Sequence, residues 1–163
     1  MTKEVARVEG AIEQARAGKS CAIVSSGDPG IYAMAGLVFE TCKIKGIAIM
    51  PPGSDAKAAD DRNVLRLEVV PGIPALCAGA ALLGAPLTHD FAVISLSDLL
   101  TPWELIEQRL EAAARSDFVI VLYNPKSKKR NWQLGKARQI ILRHRAKNTP
   151  VGIVSRAMRE EQN

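Results

Sequence analysis

Aromatic residues are scarce: two Trp, two Tyr and three Phe make up 4% of 163 residues. A surface that stacks single-stranded bases needs exposed rings interleaved with basic residues, so the composition disfavours that mode of binding. Cysteine is sparse too. Cys21, Cys42 and Cys77 stand far apart with no C-x-x-C pair, which suggests neither a zinc site nor a disulfide framework. His89 and His144 are the two histidines, lie far apart and lack thiolate spacing, so no metal site is expected. Gly, Pro or Ser interrupts every apolar stretch before it reaches the roughly 18 residues of a transmembrane helix. Residues 1–19 are charged throughout, without the apolar core of a secretion signal. There is no G-x-G-x-x-G and no Walker lysine, which disfavours a dinucleotide fold or a P-loop. Internal repeats and low-complexity tracts are also missing. These absences leave a globular chain of one ordinary domain or two half-domains, without a membrane anchor and with the reducing cytoplasm as its expected location.

Charge is unevenly placed. Residues 1–117 hold 11 Lys/Arg and 15 Asp/Glu, whereas residues 118–163 hold 11 Lys/Arg against only Glu160 and Glu161. The last quarter should attract an anion, and charge alone does not choose among nucleic acid, phosphate and a small polycarboxylate.

Helical and strand signals alternate along the chain, which implies the α/β class. Val5, Val8, Ile12 and Ala15 fall on one helical face, with Gly18 as a stop. Cys21–Val24 reads as a buried strand and Ile31–Lys45 as a helix. A short apolar run, Ile47–Met50, leads into a polar loop over Pro51–Asn63. Leu65–Val70 reads as a strand and Pro74–Leu83 as a helix of small residues. Phe91–Leu96 and Phe118–Tyr123 read as strands around a helix that ends near Arg115 and opens on a capping-box pattern, Thr101-Pro102-Trp103-Glu104. A basic helix, Asn131–Arg145, and a last strand, Val151–Val154, complete the alternation. Gly84, Pro86 and Thr88 interrupt the pattern and divide the chain into halves at 1–86 and 87–163, and a cleft between such halves is a common ligand site.

Three strand-to-turn junctions can carry chemistry. Ser25-Ser26-Gly27-Asp28-Pro29-Gly30 offers glycine backbone, a carboxylate and a following helix N-terminus; Asp28 there is either a ligand group or a cap for the helix. Val69-Val70-Pro71-Gly72-Ile73-Pro74-Ala75 is a site or a structural turn. Leu122-Tyr123-Asn124-Pro125-Lys126-Ser127-Lys128-Lys129-Arg130 places an amide at a strand end, followed by a cationic lip or simply a solvated loop. His89-Asp90 reads as a turn before it reads as an acid/base pair, and Trp103 and Trp132 as packing anchors.

Taken together, these segments and Gly84-Ala85-Pro86-Leu87-Thr88-His89-Asp90-Phe91, running on through Ser95-Leu96-Ser97-Asp98-Leu99-Leu100-Thr101-Pro102-Trp103, resemble the tetrapyrrole methylases. The SLSDLLTPW and LYNPKS stretches are similar to the precorrin-3B carbon-17 methyltransferases of cobalamin synthesis in particular. The resemblance implies two α/β halves around a ligand cleft. It implies S-adenosyl-L-methionine as cofactor, with contacts at Ser26, Gly27, Asp28, Ile31, Pro74, Ala75, Asn124 and Ala157. It implies methylation of a precorrin at carbon 17 with ring contraction, for which His89, Asp98 and Tyr123 are the acid/base candidates. Lys126, Lys128, Lys129 and Arg130 would clamp the carboxylates of the anionic tetrapyrrole, and a homodimer is expected. Family members begin with a strand and a glycine-proline loop and continue past Arg159 with further strands, so a copy truncated at both ends is expected. The competing readings are an inactive or partner-dependent fragment of that enzyme and an RNA-directed methylase of similar fold.

Overall fold

The computed structural model describes residues 3–50, 53–54, 63–128 and 130–162. They form two compact units, Met1–Ala75 and Leu76–Asn163, which divide earlier in the chain than the sequence pattern suggests.

The first unit opens on α1 (Lys3–Arg16). Val8 and Ile12 on its apolar face are buried, with Val5 and Ala15 half-buried beside them. Gly18 ends the helix at φ +84°: its N–H donates to the Ala15 carbonyl at 2.9 Å and that of Lys19 to Gln14 at 3.1 Å. This closure requires a left-handed residue, which glycine supplies without steric cost. Gly46 closes α2 (Met34–Ile44) in the same way, with the Ile47 N–H returning to the Cys42 carbonyl at 2.9 Å. Val38, Cys42 and Ile47 join Val8 and Ile12 in one core, against which Ile23, Ile49 and Leu65 pack. Burial raises the Cys42 thiol pKa by penalising the thiolate. Two short strands, β1 (Ala48–Met50) and β2 (Val64–Arg66), pair in parallel, with Ile49 opposite Leu65.

The expected strand at Cys21–Val24 is not formed. Cys21 is exposed, Val24 is 84% exposed and no ladder runs through the segment among the described residues. An apolar run becomes a strand only where a second backbone meets its N–H and C=O groups, and here only Ile23 reaches a core. The expected strand at Leu65–Val70 stops at Arg66 for the same reason: Val69 and Val70 are exposed. Most of the polar loop at 51–63 lies outside the described residues.

The second unit holds α3 from Leu76 onward (Ala75–Leu82), β3 (Phe91–Ser95), α4 (Trp103–Arg115), β4 (Val119–Tyr123) and α5 (Gln133–Ile141). Strands β3 and β4 are parallel, from Phe91 opposite Val119 to Ser95 opposite Tyr123. Its core joins Ile94 and Leu96 to Ile106, Leu110 and Ala113 of α4 and to Ala137 and Ile140 of α5. The spacing of the α4 residues is that of one helix face. Trp103 packs on this core and meets Trp132 edge to face at 4.8 Å, while its indole N–H donates to Glu107 at 2.7 Å. Trp103 is therefore a packing anchor, whereas Trp132, 44% exposed, leans on it from outside the core. The capping box is absent: α4 takes Pro102, not Thr101, as its N-cap, and no side chain caps it. Val151–Val154 is likewise no strand, with Val151 82% and Ile153 85% exposed. In α3, buried Gly79 leaves room for Val154 alongside, 3.8 Å from where a β-carbon would stand.

Candidate functional site

In the first unit, two of the three junctions come together. Asp28 does not cap α2, whose N-cap is Ala33 with no side-chain bond. Its carboxylate instead accepts the Gly30 N–H at 2.7 Å through Oδ1, bracing its own turn, and the Gly72 N–H at 3.0 Å through Oδ2. One side chain thus joins loops 44 residues apart. The loops touch through backbone: a β-carbon on Gly72 would stand 2.4 Å from the Gly27 carbonyl oxygen, and one on Gly27 3.4 Å from the Ile73 oxygen. Glycine at 72 is therefore a packing requirement, and Gly27 at φ +80° a conformational one as well. Ser26 and Gly27 are exposed, Asp28 and Pro74 half-buried, Ile31 38% exposed and Ala75 exposed. The six residues assigned to the cofactor in this unit thus lie on two loops held side by side.

Neither loop carries a Lys or Arg over residues 25–31 or 69–75. A phosphorylated cofactor would meet a carboxylate without a compensating cation there. A compact sulfonium-bearing adenosyl group suits that donor set, since glycine backbone permits close approach and the carboxylate tolerates positive charge.

The second unit has its own strand exit, built from side chains. The Asn124 amide nitrogen donates to Ser95 Oγ at 3.0 Å. Arg130 donates through Nε to the Asn124 carbonyl at 2.8 Å and through Nη1 to Ser97 Oγ at 3.2 Å. Asp98 accepts the Nε2 hydrogen of buried Gln133 at 2.9 Å, and Tyr123 Oη accepts the Leu76 N–H at 2.9 Å.

Of the three acid/base candidates, Asp98 and Tyr123 therefore have positional bonds, and His89 is exposed in the bend before β3. Lys126 and Lys128 are exposed, Arg130 is half-buried, and Lys129 lies outside the described residues. Ala157 is half-buried in a turn between Arg156 and Met158, both at positive φ. The Arg156–Glu161 ion pair and the 2.8 Å bond from the Met158 N–H to Gln162 Oε1 hold that turn. Between α4 and α5 a depression is lined by Glu104, Glu107, Gln108, Glu111, Ile140 and Arg143. Its three carboxylates would repel an anionic ligand.

Sequence reasoning missed Gly72, Ser95, Ser97 and Gln133. Pro71-Gly72 carries a turn signal but nothing to tell a close approach from punctuation. The two serines flanking Leu96 at a strand end were a readable cue for side-chain bonding. Gln133 at the opening of a basic helix gave no signal.

A profile of the family described as Tetrapyrrole (Corrin/Porphyrin) Methylases matches residues 2–163. The chain belongs to the tetrapyrrole methylase family. Its members are methyltransferases that take S-adenosyl-L-methionine as methyl donor. Among curated relatives, the chain is 49% identical over 162 residues to a cobalt-factor III methyltransferase of Priestia megaterium, a match covering 99% of this chain and 28% of that protein. It is 43% identical to a probable cobalt-factor III C(17)-methyltransferase of Salmonella typhimurium, across 99% of this chain and 61% of the relative. With a precorrin-3B C(17)-methyltransferase of Sinorhizobium sp it shares 45% identity, across 85% of this chain and 50% of the relative. The crystal structure of the methyltransferase CobJ matches with a TM-score of 0.79 at 35% identity, across 99% of this chain and 62% of that one. The α/β fold is that of the tetrapyrrole methylases, and the chain spans less than two thirds of the length of each of these relatives. No helix among the described residues is long and apolar enough to cross a membrane.

Proposed function

We propose that this chain forms the cofactor-binding part of an S-adenosylmethionine-dependent methyltransferase that methylates a precorrin, or its cobalt-containing counterpart, at carbon 17 with ring contraction in cobalamin biosynthesis. The observation that carries the reading is the pairing of the 26–31 and 72–75 loops through Asp28, together with relatives of that printed activity over nearly the whole chain. When bound, the cofactor supplies an electrophilic methyl group on a sulfonium, an excellent leaving group. The chain's own task is then alignment and exclusion of water, which lower a displacement barrier without covalent help. Gly27 and Gly72 provide backbone approach, Asp28 fixes both loops, and Ile31 and Pro74 provide apolar surface. Asn124 and Ala157 are the contacts contributed by the second half in this reading, whose halves are residues 1–86 and 87–163. His89, Asp98 and Tyr123 remain its acid/base groups for ring contraction, with Asp98 held by Gln133 and Tyr123 by Leu76.

Calorimetric titration with S-adenosylhomocysteine tests the reading. Binding should weaken about tenfold or more in Asp28→Ala, which loses both backbone acceptors. No binding by the unchanged chain, or an Asp28→Ala variant that binds equally well, overturns it. The substrate class is tested separately. Exposed Lys126 and Lys128 favour a tetrapyrrole polycarboxylate, whose binding should weaken when both become Gln and fall less steeply with salt than that of single-stranded RNA. RNA binding that a tetrapyrrole fails to displace would favour an RNA-directed enzyme instead.

A partner-dependent reading has its own support. Val24, Val69, Val70 and Ile73 in the first unit, and Val151 and Ile153 in the second, are exposed apolar residues of the kind that further polypeptide covers. A second copy of the chain, as in a homodimer, would cover them in this reading. A monomeric, concentration-independent cooperative melt without binding of apolar dyes would count against it.

A further inference from the structure

Asn124 follows the last residue of β4 and precedes Pro125, and at φ +53° it occupies the left-handed region. Asparagine enters that region more readily than most residues, yet a following proline further restricts its backbone. A conformation of this kind persists where its surroundings hold it. Here the side chain is held by Ser95 Oγ and the carbonyl by Arg130 Nε. The same guanidinium reaches Ser97 Oγ, so one planar fork spans the exits of β4 and β3. Its own backbone is fixed by Ser127, whose carbonyl and hydroxyl accept the Arg130 N–H at 3.3 and 3.0 Å, and whose N–H returns to the Arg130 carbonyl at 2.9 Å. Lysine carries the same charge but cannot make a fork.

We propose that Arg130 is a positioning residue rather than a carboxylate clamp: it locks Asn124 in its left-handed conformation, ties the 95–98 loop to the 124–130 loop, and so presents the Asn124 amide to the cofactor. The last step rests on the functional reading above. The lock itself rests on geometry alone.

Four variants, Arg130→Lys, Arg130→Gln, Asn124→Gly and the double variant Arg130→Lys/Asn124→Gly, decide between fork and charge. Arg130→Lys should weaken S-adenosylhomocysteine binding by about three- to tenfold and leave the affinity and salt dependence of uroporphyrin, used as the polycarboxylate probe, unchanged. Glycine adopts a positive φ freely, so the shift in urea midpoint caused by Arg130→Lys should be clearly smaller in the Asn124→Gly background. An equal shift in both backgrounds overturns the lock. Unchanged S-adenosylhomocysteine affinity of the folded Arg130→Lys variant overturns the presentation of Asn124. Uroporphyrin affinity that survives Arg130→Lys but falls in Arg130→Gln restores the clamp. If the unchanged chain binds no S-adenosylhomocysteine, the functional reading falls, while the midpoint coupling still supports or overturns the lock.

Discussion

The two units solve the same problem, holding two loops distant in sequence against each other, with different materials. In the first unit the 26–31 and 72–75 loops meet through glycine backbone, and a single carboxylate accepts from two backbone amides. In the second unit the 95–98 and 124–130 loops are laced by side chains, with Ser95, Ser97, Asn124 and Arg130 bonding in sequence. Backbone contact tolerates no added atom but is indifferent to most side-chain chemistry. A side-chain lattice tolerates added volume but loses function piecemeal as each group is removed. The first design suits close approach by a ligand, and the second suits fine adjustment of where an amide points.

Substitutions sharpen or break that contrast. The largest effect is expected from Gly72→Ala, whose new methyl would meet the Gly27 carbonyl at 2.4 Å. Because backbone must move, a loss of about 3 kcal/mol or more is expected in urea unfolding. A variant as stable as the parent would show that the first unit is not backbone-limited. Asp28→Ala should cost about 1–3 kcal/mol, since two loop amides lose their acceptor. Asp28→Asn, which keeps a single carbonyl acceptor, should fall between. In the second unit Ser95→Ala should cost only about 1 kcal/mol, and a larger loss than that of Asp28→Ala would reverse the ranking.

The smallest effect lies away from both loop pairs. The Glu111 carboxyl is held below its ordinary value chiefly by the hydrogen bond from His144, against an opposing desolvation, with the charges of His144, Arg143 and Arg115 adding to the lowering. A depressed carboxylate adds stability that is present above its unfolded value of about 4.3 and is lost as pH falls through the lower folded value. Glu111→Gln should therefore lose less stability than the parent on acidification below about pH 4.3. The group is solvent-exposed, so salt should blunt the difference. Identical acid profiles would remove the pair from any account of stability.

Helix faces and helix stops were legible because they are local. The Val5, Val8, Ile12, Ala15 spacing and the stop at Gly18, at positive φ, need only neighbouring residues to specify them. Strands were less legible, because a strand exists only with a partner. Cys21–Val24 and Val151–Val154 carry the right residues without a ladder, whereas Phe91–Ser95 and Val119–Tyr123 carry similar residues and pair. The first two junctions were identified as loops, but their meeting through Asp28 was not, since nothing in either segment names the other. Arg130 was hard to read for a related reason. In a run of cations it reads as charge, and its bonds to Asn124 and Ser97, which set it apart from exposed Lys126 and Lys128, join segments that do not name each other in the sequence.

The Asp28–Gly72 bond also bears on the order of events when the chain folds. Its partners are separated by 44 residues, with α2 and the β1–β2 pair between them. Closing so long a loop costs entropy before any contact offsets it, and parallel pairing in between is slow for the same reason. The bond should therefore form after the rate-limiting step, on a scaffold whose helices are already in place. Weakening it should accelerate unfolding and leave the refolding rate nearly unchanged. The loop pair assigned to the cofactor would then be the last part of the first unit to assemble and the first to open, and a ligand that bridges the two loops would prolong the life of the native state more than it hastens its formation.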